Sequence, residues 1–149
     1  MKQFLVVLKQ KKSLVIPTLV SLLLAGVSFV LYFINCGRDY YVNDGIDAVV
    51  VVLTIVALIS LIVRLLMIFF LKNETLLNLS FILNVIFITC MTISFMWIVN
   101  ERLLSITSIM TFDKNEYNLA DMRTSILALG FYLISALSAM IASCLEKIR

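Results

Sequence analysis

Polar residues interrupt this chain in only a few places, and between them lie four apolar runs. The first is SLVIPTLVSLLLAGVSFVLYFI, residues 13–34. The second starts near Ile46, passes through AVVVVLTIVALISLIV and reaches Leu71. The third runs from Leu76 to Val99 and the fourth from Thr124 to Leu145. A helix needs roughly 20 apolar residues to cross a bilayer, so each run predicts one membrane-spanning helix. The expected spans are 13–35, 46–71, 76–99 and 124–145, with outer loops 36–45 and 100–123 and a short KNET turn between the second and third. Gly37 and the Asn43-Asp44-Gly45 cluster supply turn chemistry. Asn73 and Thr75 are the expected caps of the third helix, and Asp121 of the fourth. Pro17 is expected in the first turn of the first helix, where its missing N–H is harmless. The KNET turn is too short for anything but an antiparallel hairpin. The pattern therefore predicts an all-α integral membrane protein, a single four-helix domain in up-down-up-down order.

Charge orients the bundle. Lys2, Lys9, Lys11, Lys12, Arg64, Lys72, Lys147 and Arg149 fall on one side, against Arg38, Arg102, Lys114 and Arg123 on the other. Basic residues collect on the cytoplasmic side, so both termini are expected there, in the plasma membrane. Trp97 and Tyr32 fall near the opposite ends of their spans, where interfacial aromatics belong. FLVVLK at residues 4–9 is expected along the inner interface. The first apolar run is longer than a signal-peptide core, so the first helix is expected to stay.

Arg64 is the one basic residue inside an apolar run. It lies 17 residues beyond Asp47, about 26 Å down a core of about 30 Å. From that depth a guanidinium can snorkel to the inner headgroups. Arg64, Lys72, Lys11 and Lys12 are accordingly expected as inner-interface anchors, and Arg64→Lys as a tolerated change.

Composition sharpens the class. Hydrophobic residues make up 62% of the chain and charged residues 14%, with one proline; mean hydropathy is +1.10. Soluble domains are about half apolar and about a quarter charged, so the expected solvent is lipid. No basic face with interleaved aromatics suggests nucleic-acid binding. Histidine is absent, removing the commonest general base and metal ligand. Cys36, Cys90 and Cys144 are odd in number and widely spaced, so no disulfide is expected, and an impermeant thiol reagent is expected to label Cys36 but not Cys144. No HExxH, GxSxG, P-loop or CxxC occurs. Neither an enzyme nor a cofactor nor a metal site is expected. The aspartates of RDYYVNDGID lack the alternation of a calcium loop, and Asp47 is explained by the positive end of a helix dipole.

The third run is the most polar. Ser80 and Asn84 share a face, and an amide at that depth needs a partner. Interhelical contact is the leading reading, with a polar path as the alternative. On the fourth helix Ser135, Ala139 and Ser143 recur every four residues, and Ser21, Ala25 and Ser28 make a similar face on the first. Such spacing lets backbones approach closely, towards each other or towards a partner subunit. The expected function is a small non-enzymatic membrane subunit, accessory to a transporter or cell-envelope complex, with a membrane-protein partner or self-association. The alternatives are a small oligomeric transporter or channel, and a sensor binding through the outer loop, whose FDKNEYN sets aromatics among charges.

Overall fold

The computed structural model describes residues 12–42, 45–70 and 74–147. The described residues form four helices: α1 (Lys12–Cys36), α2 (Ala48–Phe70), α3 (Glu74–Thr111) and α4 (Glu116–Lys147). No strand occurs among the described residues. Each helix is long and apolar enough to cross a membrane. Neighbours run antiparallel: Ser21 meets Ser138 while Asn35 meets Thr124 and Ser125, and Asp47 meets Trp97 while Arg64 meets Ser80. α1 packs most closely on α4, and α2 and α3 on each other; α3 also packs on α4, and the α1–α2 contact is thinner than these. One end of the bundle, the termini end, holds the start of α1 and the end of α4, and the opposite, distal end holds the end of α1, the start of α2 and the α3–α4 turn.

Small residues bring the helices together. Ala25, Ala57, Ala136 and Ala139 are buried around Tyr32, Phe87, Met91 and Tyr132. The outward faces carry Leu23, Val30, Val52, Ile59, Leu66 and Ile141, all exposed. Polar side chains point inward and bulky aliphatic ones outward, the reverse of a water-soluble bundle.

Three local expectations change. The 100–123 segment is helical except at 112–115. From Trp97, level with the start of α2, α3 continues to Thr111 for about 21 Å, and α4 returns alongside it. This distal spur is closed by Asn115, whose Oδ1 accepts from Asn118 N at 2.7 Å and caps α4. Asp121 is therefore not a cap but a buried residue within α4. Pro17 lies in the second turn of α1 rather than the first. The first two differences share one cause. ERLLSITSIM contains no glycine or proline, so the helix outlasts the strongly apolar run. Lys11, Lys72, Asn73, the 4–9 segment and the Asn43-Asp44 pair lie outside the described residues; Lys12 begins α1.

Candidate functional site

Two polar clusters lie inside the bundle, one towards each end. The first is built on the inward stripe of α2, which Val50, Thr54, Ala57, Leu61, Arg64 and Ile68 form at helical spacing. Arg64 is fully buried. Its Nε donates to Ser80 Oγ at 3.3 Å, and its Nη1 donates to Asn84 Oδ1. Asn84, also fully buried, donates onward through Nδ2 to the Ala139 carbonyl at 2.9 Å and to Ser143 Oγ. One arginine and one asparagine thus tie α2, α3 and α4 together. The expectation that Arg64 anchors at the inner interface is corrected in its geometry. Its depth along α2 permits snorkelling, but its position on the helix turns it into the bundle, where polar acceptors on α3 hold it.

The two small-residue faces divide between partners. Ser21 Oγ lies 2.7 Å from Ser138 Oγ, and Ser135 Oγ donates to the Ser21 carbonyl at 3.1 Å, so α1 and α4 meet there. Ala25 is buried in this seam, and Ser28 donates to its carbonyl. Ala139 and Ser143 turn instead towards Asn84 on α3. A further link crosses the bundle at mid-height, where Thr54 Oγ1 lies 2.9 Å from Tyr132 Oη.

The distal cluster is larger. Asn35 Nδ2, at the end of α1, donates to Ser125 Oγ at 2.7 Å and to Thr124 Oγ1 at 3.1 Å. Asp121 accepts from Tyr40 N at 3.3 Å and pairs with Arg38 at 3.8 Å, fastening the 37–47 loop to α4. Arg102 is buried under that loop. Its guanidinium stacks 4.5 Å from the Tyr41 ring centroid and donates to Cys36 Sγ at 3.4 Å. Burial of Tyr41 pushes its phenol above the ordinary tyrosine range.

Beside this network, Asp47 caps α2. Its Oδ1 accepts from Val49 N at 2.6 Å and its Oδ2 from Trp97 Nε1 at 2.9 Å, while its own N–H donates to Tyr32 Oη at 2.9 Å. Side-chain hydrogen bonding with Glu101, reinforced by Trp97 and the α2 amides, holds the Asp47 carboxyl below the ordinary aspartate range. Asn35, Arg102, Asp121 and the Asp47–Glu101 pair were not singled out as site residues in the sequence. The available signal was Arg102 at helical spacing from Ser94 and Ile98, on the stripe that carries Asn84.

Among the described residues no three His, Cys, Asp or Glu side chains converge as metal ligands would. An open apolar groove of about 390 Å³, lined by Leu22, Leu23, Gly26, Val27, Val30 and Leu31, lies away from both clusters on α1. No protein-family model matches the chain, and no curated protein or solved structure matches it either.

Proposed function

We propose that this is a small, non-enzymatic integral membrane subunit that acts by binding another membrane protein. Its four helices cross the plasma membrane and its termini lie in the cytoplasm. Four long helices whose outward surface is aliphatic fit a lipid solvent, and the excess of lysine and arginine at the termini end sets the orientation.

The observation that carries the partner reading is the distal spur. It extends past the level where α2 begins, yet Leu104, Phe112 and Tyr117 are 79%, 83% and 85% exposed. Apolar and aromatic side chains held on a short rigid hairpin outside the hydrocarbon are suited to a protein contact. The transport alternative relied on Asn84, whose amide is taken up by Arg64, Ala139 and Ser143. Those bonds support the reading of Asn84 as an interhelical tie over the lining of a water-filled path.

The experiment has two arms. The full chain reconstituted in liposomes is expected to pass no ions or small cations above protein-free vesicles. A photo-crosslinking side chain at position 117 is expected to give one discrete adduct in native membranes, lost when Leu104 and Phe112 are changed to Ser. Flux abolished by Asn84→Leu would replace this reading with the transporter.

A further inference from the structure

We propose that residues 38–42 form a lid over the buried Arg102 guanidinium, latched shut by Asp121 and poised to open at the distal end. The lid rests on the geometry of the distal cluster and stands independently of the partner reading.

The segment is held together locally, so that it moves as a unit. Arg38 N donates to the Asn35 carbonyl at 3.1 Å and Tyr41 N to the Arg38 carbonyl at 2.9 Å. The Tyr40 and Tyr41 rings brace each other edge to face, with centroids 5.4 Å apart. The chain leaves α1 at Gly37, which has no side chain to obstruct a rotation of the backbone. An outward swing about Gly37 keeps the Tyr41 turn and the ring pair intact.

The latch itself is weak. Asp121 Oδ2 accepts from Tyr40 N at 3.3 Å, and its Oδ1 stands 3.8 Å from Arg38 Nε. Both distances are long for charge-assisted bonds. The Arg38 side chain is 46% exposed, so water screens the pair. Beneath the latch the fit is closer. Tyr41 is fully buried and lays its ring 4.5 Å from the Arg102 guanidinium, which donates to Cys36 Sγ at 3.4 Å. Closed, the lid gives the cation an aromatic face but keeps it out of water, which costs desolvation. Open, it turns the guanidinium towards the distal solvent. Rehydration of the charge offsets the lost stacking, and this brings the open state within reach of the closed one.

Cys36, next to Arg102, reports the lid. The full chain in micelles, carrying Cys90→Ala and Cys144→Ser, keeps Cys36 as its one thiol. A water-soluble maleimide is expected to label it only very slowly. Asp121→Ala is expected to speed the labelling about tenfold, the scale of one hydrogen bond to a charged group. Arg38→Gln, which removes only the screened ion pair, is expected to speed it about twofold, and decides the matter if Asp121→Ala loses helicity. A second background, Cys36→Ala with Cys144→Ser, leaves the half-buried Cys90 as its thiol and separates lid opening from unfolding of the bundle. Its labelling rate is expected to stay the same with either substitution. Unchanged Cys36 reactivity in the folded variants, or equal acceleration of Cys36 and Cys90, overturns the proposal.

Discussion

A guanidinium sealed inside an apolar bundle is stable only while its acceptors hold it. Arg64 uses two different nitrogens for Ser80 and Asn84, and a lysine ammonium cannot reproduce that fork from one point. Arg64→Lys is therefore expected to lower stability by about 1–3 kcal/mol, the scale of a hydrogen bond to a charged group. An SDS-unfolding titration of the reconstituted protein measures it; unchanged stability would return the side chain to the lipid interface. Asn84→Leu alone is expected to cost more, since it leaves the charge buried and poorly satisfied. Combining it with Arg64→Met is expected to cost less than the sum of the two single changes, because the second removes the group stranded by the first. The sequence located Arg64 by depth, which is a linear quantity. Its direction required the helical face, and Thr54, Ala57 and Leu61 at inward spacing carried that information. The Ser80–Asn84 face was legible because both residues are polar and one turn apart.

At the scale of elements, the spans were legible because each needs only an unbroken apolar run, and each predicted span overlaps its helix closely at the termini end. The distal ends were not, because the end of an apolar run marks the edge of a solvent and not the end of a helix. Asn100, Glu101 and Arg102 stop the hydropathy while leaving the α3 backbone ladder intact. The small-residue faces showed a different limit: spacing reveals that a helix is closely approached but not by which neighbour. Here Ser21, Ser135 and Ser138 meet across α1 and α4, whereas Ser143 bonds to α3. Ser135 is fully buried at this seam, so Ser135→Leu is expected to overpack it and destabilise the fold by about 1–3 kcal/mol. Ser135→Ala, which loses one interhelical bond and no volume, is expected to cost about 0.6–2 kcal/mol. Thermal unfolding in micelles separates the two; equal effects would mean that hydrogen bonding rather than close approach holds the helices together.

For the whole molecule the decisive asymmetry is between its ends. Segments 37–47 and 100–123 carry four basic residues (Arg38, Arg102, Lys114, Arg123) against seven acidic ones (Asp39, Asp44, Asp47, Glu101, Asp113, Glu116, Asp121), while the chain as a whole has net charge +3. By the positive-inside rule that distribution supports the proposed placement of the termini on the cytoplasmic side. The structure changes how this is tested with thiol chemistry. Cys36 is buried against Arg102, so an aqueous reagent is expected to miss it from either side of the membrane, and its silence carries no topological information. Lys114, at the tip of the spur, is exposed, as is Cys144 near the other end. In intact cells an impermeant maleimide is expected to label Lys114→Cys promptly, and to label Cys144 only after permeabilisation. Prompt labelling of Cys144 with a silent position 114 would invert the bundle. It would also put the spur in the cytoplasm, and with it the surface on which the partner reading depends.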